Sequence, residues 1–227
     1  MTIDDIRTLL EQQDIKPNLN DVAAVGTVKN HANEDVEYTL YVGWDIIKAN
    51  QCDRMWSIFN TNLIQFIRDK DYSKKELSEI ESYIQIDDSH WDWLSKSCVY
   101  KTDEYKWFFL YAEDKPQAAC IIYHPKKSTI HDGNIFYIEY IAVAPWNRKN
   151  PMVERELIGL GSIMIQFVVR YATTTLGLEL GFALHSLPTA TGFYERLGML
   201  SFTQNDKDGL KFYEMPSQVA TKYLEAS

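Results

Sequence analysis

The sequence predicts a mixed α/β fold in which one sheet of parallel and antiparallel strands is covered by helices. Three observations carry this. Residues 105–144 are dense in aromatic and β-branched side chains and are interrupted by turn signals. Residues 137–184 read as strand, helix and strand, the length of a βαβ unit with parallel strands. Residues 46–98 instead carry apolar positions at helical spacing.

Residues 4–12 predict a short amphipathic helix. Residues 18–33 are polar and irregular, with a weak strand at 22–28. Over 35–44 the pattern alternates, with Val36, Tyr38, Leu40 and Val42 on one side, which predicts a strand. Ile46, Ile47, Met55, Ile58, Phe59, Leu63, Phe66 and Ile67 predict a helix over 46–68, in one piece or two. Ser73 and Glu76 have the spacing of a capping box and open a helix to about residue 84. A further helix is predicted from Asp88 or Ser89 through Cys98. Strands over 105–112, 117–124 and 134–144 make an antiparallel meander, with turns at 113–116 and 131–133. A polar loop over 147–154 leads into a long apolar helix over 158–176. A strand at 178–184, a helix from Pro188 to Gly198 and strands at 200–203 and 210–215 complete the chain. No linker separates 1–100 from 101–227, so the first segment is expected to belong to the same domain.

The chain has 227 residues, of which 45% are hydrophobic and 24% charged. That suffices for a sizeable core and excludes a disordered chain. No stretch approaches the ~18 apolar residues of a membrane span, and the N-terminus has no secretory pattern. No membrane partner is expected. Cys52, Cys98 and Cys120 are scattered and odd in number, which predicts reduced thiols in the cytoplasm and no metal centre. The net charge is −9 and the basic residues come in short groups, which argues against nucleic acid as a partner. A monomer or homodimer is expected.

Three features carry chemistry. The strand ending at Ala144 runs into Pro145-Trp146-Asn147-Arg148. Gly159-Leu160-Gly161-Ser162 opens the long helix. Thr191-Gly192-Phe193-Tyr194-Glu195-Arg196-Leu197-Gly198-Met199 follows later. Glycine at a helix start lets backbone N–H groups approach a phosphate, and it equally permits close helix–sheet packing. The third glycine of a dinucleotide fingerprint and the Gly-Lys-Ser/Thr of a phosphate loop are both absent. So is the G-x-S-x-G of a serine hydrolase.

Over residues 105–215 the chain resembles the GNAT superfamily of acyl-CoA N-acyltransferases. Phe193-Tyr194-Glu195-Arg196-Leu197-Gly198-Met199 is similar to its F-Y-x-x-x-G-F/M segment. The run from Glu139 to Arg148, leading to Gly159 and Gly161, looks like its central strand and pyrophosphate loop. The resemblance implies a GNAT-like fold with an N-terminal helical elaboration. Residues 101–227 would be the acyl-CoA-binding core, and residues 1–100 would shape the acceptor site. It implies acetyl-CoA as cosubstrate and an amine of a small molecule or protein as acceptor. The backbone of Ile141, Ala142 and Val143 would pair with the pantetheine arm. Gly159, Leu160, Gly161 and Ser162 would take the pyrophosphate. The family's loop reads Gln/Arg-x-x-Gly-x-Gly/Ala. Here Glu156 stands at the basic position, so the positive charge falls to Arg155, or to Arg148 with Lys149.

Acyl transfer to an amine needs a proton acceptor for the ammonium and a donor for the leaving thiolate. Tyr194 is the candidate acid, since a phenol stays protonated at neutral pH. Glu139, mid-strand among apolar residues, is the candidate base. His90 and His185 are its rivals. Trp44, Trp91, Trp93 and Trp107 are expected in the core. The alternative reading is a catalytically weakened GNAT-like module that binds acyl-CoA or a protein.

Overall fold

The computed structural model describes residues 2–12 and 22–225; residues 18–21 of the predicted polar stretch lie outside these. The elements are α1 (Ile3–Gln12), β1 (Val22–Lys29), β2 (Asp35–Val42), α2 (Ile46–Asp69), α3 (Lys74–Tyr83), α4 (Trp93–Val99), β3 (Tyr105–Ala112), β4 (Lys115–Lys127), β5 (Asn134–Val143), α5 (Leu160–Thr174), β6 (Phe182–Ser186), α6 (Thr191–Arg196), β7 (Leu200–Ser201), β8 (Lys211–Met215) and α7 (Ser217–Glu225). The predicted mixed sheet is present, in the order β1-β2-β3-β4-β5-β6-β8-β7. The pair β5–β6 is parallel, and β1–β2, β2–β3, β6–β8 and β7–β8 are antiparallel. Among the described residues no helix is long and apolar enough to cross a membrane.

The chain divides into two compact units. The first comprises Met1–Lys101, Trp107–Ala119 and Ala142–Leu160; the second comprises Thr102–Lys106, Cys120–Ile141 and Gly161–Ser227.

In the first unit the β1–β2 hairpin turns on Asn30, whose side chain accepts from Glu34 N, while Asn33 takes a positive φ of 63°. Helix α2 is one unbroken element. Asp45 caps it by accepting from Ile47 N and Lys48 N, and no glycine or proline interrupts it. The Ser73–Glu76 capping box forms as predicted. The next helix starts later than expected, at Trp93, because its free N–H groups are satisfied from two places. Asp92 accepts from Ser95 N, and Asp53 on α2 accepts from Trp93 N at 2.5 Å and Leu94 N at 2.7 Å. Trp93 then packs edge-on against Trp56 and Trp107, with ring centroids 5.6 and 6.2 Å away. Trp93 and Trp107 are core, whereas Trp44 is 48% exposed, with its indole N–H donating to Ser97 O.

In the second unit the buried faces of β5, β6 and β8 meet, with Phe136 stacked on Phe182 at 5.4 Å and Ile135, Ala183 and Phe212 in one cluster. Strand β6 starts at Phe182, later than its sequence suggests. Leu178 N and Glu179 N turn to Ala172 O and Asn134 O, and Gly181 adopts φ +136° with Met215 O 2.6 Å from where a Cβ would stand. Helix α6 stops at Gly198, whose φ of +81° suits the left-handed end of a helix. Helix α7 is an addition with no counterpart in the sequence reading.

Candidate active site

The loop after β5 belongs to the first unit and is anchored by a buried amide. Gln117 Oε1 accepts from Trp146 Nε1 at 2.8 Å and Asn147 Nδ2 at 2.7 Å. Asn147 Oδ1 in turn accepts from Leu157 N at 2.9 Å, and Ile158 N donates to Lys29 O at the end of β1. Between these anchors Asn150 Oδ1 accepts from Met152 N and Val153 N and shapes the turn. The loop and the hairpin residue His31 line a cleft of about 420 Å³, together with Lys149, Arg155 and Ile158. His31 was not legible as a site residue, because only the β1–β2 turn carries it there.

Gly159 adopts φ +86°, and a Cβ there would meet nothing within 4 Å. Close packing is therefore not what requires this glycine; the backbone conformation is. Arg155 is exposed and has no ion-pair partner among the described residues. Glu156 meets Lys115 at 3.5 Å, which offsets its charge. Arg148 is fully engaged. It donates to both oxygens of Asp88 at 2.5 Å, to Gln85 O, and through Nε and Nη2 to Val143 O. Lys149 Nζ lies 4.0 Å from the centre of the Tyr83 ring. Of the expected pantetheine-pairing segment, Val143 thus has its carbonyl occupied, while Ala142 is buried and Ile141 half-buried. Leu160 is buried at the start of α5; Gly161 and Ser162 follow in its first turn, and Ser162 O accepts from Tyr223 Oη.

In the second unit the parallel ladder between β5 and β6 runs only from Phe136↔Phe182 to Ile138↔Leu184. Glu139 and Ile141 continue beyond it. Two residues before Glu139 and on the same face of β5, Tyr137 Oη lies 2.6 Å from His185 Nδ1, and His185 Nε2 lies 2.8 Å from Asn205 O. A carbonyl can only accept, so Nε2 carries the proton and Nδ1 accepts from the Tyr137 hydroxyl. That leaves His185 no free lone pair to act as a base. His90 lies in the other unit, exposed, on the wall of a second cleft.

Glu139 is half-buried and forms no hydrogen bond or ion pair among the described residues. Burial pushes its carboxyl above the usual range, against the opposing charge of Lys207. Tyr194, on α6, is 7% exposed and packs at 6.3 Å from Tyr213. Its hydroxyl has no hydrogen-bond partner among the described residues. Burial pushes the phenol upward, so it holds its proton across the neutral range. Among the described residues no group of three His, Cys, Asp or Glu side chains converges on a metal position.

The fold is GNAT-like: the segments that carry the resemblance fall on β5, on the turn into α5 and on α6, in the order the superfamily implies. No family model matches the chain, and no curated protein matches it. Solved structures do. The uncharacterized protein bh2621 of Bacillus halodurans matches over 90% of this chain and 96% of its own, with TM-score 0.51 and 10% identity, a likeness of fold alone. A putative acetyltransferase of the GNAT family from Desulfovibrio desulfuricans matches over 79% of this chain and 99% of its own, with TM-score 0.48 and 15% identity. The Campylobacter jejuni N-acetyltransferase PseH in complex with acetyl coenzyme A matches over 64% and 92%, with TM-score 0.37 and 11% identity.

Proposed function

We propose that this protein is an acetyl-CoA-dependent N-acetyltransferase that acetylates a primary amine of a small-molecule or protein acceptor by direct attack. The observation that carries this is Tyr194, a buried phenol in the Phe193–Met199 motif whose hydroxyl has no partner among the described residues. The ring is buried while the hydroxyl is not among the buried unpaired atoms, so it is open to a ligand.

In this reading the amine nitrogen attacks the thioester carbonyl. A C–N bond forms and the C–S bond breaks. Glu139, its carboxyl raised by burial, takes the proton from the ammonium and returns it to water. Tyr194 donates its proton to the leaving sulfur and regains one from water. The residues of the loop suit the cosubstrate: a left-handed Gly159 with open space beside it, and an unpaired Arg155 on a cleft that it shares with Lys149, His31 and Glu154. Free Cys52, Cys98 and Cys120 fit a reducing compartment, which supports a cytoplasmic location.

A second reading, an acyl-CoA-binding or protein-interaction module with weakened turnover, is favoured by two observations. Arg148 is committed to Asp88 and Val143 O, and Glu156 occupies the loop's basic position. Titration calorimetry with acetyl-CoA tests binding, and thiol release over a panel of amines tests turnover. Binding with turnover supports the enzyme; binding without turnover of any amine supports the module.

A further inference from the structure

The first unit contains another cleft, of about 370 Å³, between α1, α2 and the turn before α4. Its floor is one stripe of α2. Asn50, Asp53, Arg54 and Ser57 stand at spacings of three and four residues, which places them on a single helix face. Asp92 and His90 form the facing wall, and Arg7 reaches in from α1 to pair with Asp92 at 3.0 Å.

Three side chains on this cleft are open to a ligand. Asn50 is 8% exposed, yet its amide makes no hydrogen bond among the described residues. Asp53 is 9% exposed, accepts from two backbone N–H groups and lies against the Asp92 carboxyl, with no basic side chain at ion-pair distance. Arg54 is exposed and has no carboxylate partner among the described residues. Asp92 differs, since Arg7 already balances it. The cleft therefore offers a carboxyl group, a guanidinium and an amide to a ligand.

We propose that this cleft is a binding site for a small zwitterion of the amino-acid class. Its ammonium lies against Asp53 within reach of the Asn50 carbonyl, and its carboxylate lies on the Arg54 guanidinium. A simple amine leaves Arg54 unpaired, and a simple carboxylate leaves Asp53 unpaired. A guanidinium fork fits a carboxylate better than an ammonium would. The volume lies in the range of small-molecule sites. The inference does not depend on the acyl-transfer reading, since it concerns binding by residues of the first unit alone.

The test is titration calorimetry on the full-length protein with each standard L-amino acid, its decarboxylated amine and its deaminated acid. The expected result is saturable binding of at least one amino acid at millimolar concentration or below, with both counterparts weaker by about tenfold or more. Asn50→Leu should lose this binding while its melting temperature stays the same or rises, because an unpartnered amide is replaced by an apolar group. Arg54→Gln, at an exposed position that folding does not need, should weaken the amino acid about tenfold and leave the amine unchanged. Three results overturn the proposal: no amino acid binds, the amine binds as tightly as its parent, or Arg54→Gln leaves the amino-acid affinity unaltered.

Discussion

Arg148 and Asp88, 60 residues apart in the chain, meet as a two-pronged ion pair with both N–O distances at 2.5 Å, each side chain being about nine-tenths buried. The same guanidinium caps the last carbonyl of β5 at Val143. A residue that the sequence offers to a pyrophosphate thus ties the turn before α4 to the end of a strand.

Asp88→Ala should therefore destabilise the protein by about 3–5 kcal/mol, the usual loss when one partner of a buried pair is removed. Denaturant unfolding measures this. If Arg148 served a ligand and not the fold, the variant would unfold within about 0.5 kcal/mol of the parent.

Gly159→Ala should cost about 1–2 kcal/mol, because a left-handed φ strains any residue with a Cβ even where space is free. On the proposed pyrophosphate role of this loop, acetyl-CoA affinity should fall with it. Unfolding and calorimetry on one variant separate the two effects. Unchanged affinity in a folded variant would remove Gly159 from the cosubstrate site.

The regular parts of this fold were legible because their causes are local. The aromatic and β-branched runs of β3, β4 and β5 and the Ser73–Glu76 cap act within a few residues of themselves. What escaped depends on distant partners. Helix α4 begins at Trp93, not Asp88, because Asp53, 40 residues earlier, supplies acceptors to its first N–H groups. The fate of Arg148 turns on Asp88, and His31 joins the loop cleft only through the β1–β2 turn. His185, a rival for the base by sequence, has both ring nitrogens engaged by the distant Tyr137 and Asn205. Tyr194 could be singled out because its motif is contiguous, whereas the surroundings of its hydroxyl depend on distant residues.

Asp53 gives the stability a pH dependence. Burial lifts its carboxyl to about 7, despite its two backbone donors, with Asp92, Arg7 and Lys96 as the charged groups around it. The unfolded chain loses that proton near ~3.9. Between these values the folded state binds more protons, so this contribution is full below about 4 and declines as pH rises through 7, by about 4 kcal/mol in all. Asp53→Asn should flatten the decline in denaturant unfolding at a series of pH values. A parent whose stability is level from acid to neutral would contradict the assignment.

Glu139 must lose its proton before it can accept one from an ammonium. Its carboxyl is raised by burial, so the rate should climb with pH through a midpoint above the ordinary carboxylate range. Glu139→Gln should abolish that limb of the pH–rate profile. A limb that survives belongs to the amine or to another group.

The central claim is that the unpartnered Tyr194 hydroxyl protonates the leaving thiolate. Tyr194→Phe keeps the ring that packs against Tyr213, and no hydrogen bond among the described residues is lost. Stability and acetyl-CoA affinity should stay near those of the parent. The donor matters only as charge develops on sulfur, so kcat should drop by ~10²-fold or more. The decisive measurement is kcat for acetyl transfer beside calorimetric acetyl-CoA affinity on the same folded Tyr194→Phe protein. The account predicts a large loss in kcat at unchanged affinity, and turnover at the parent rate would contradict it.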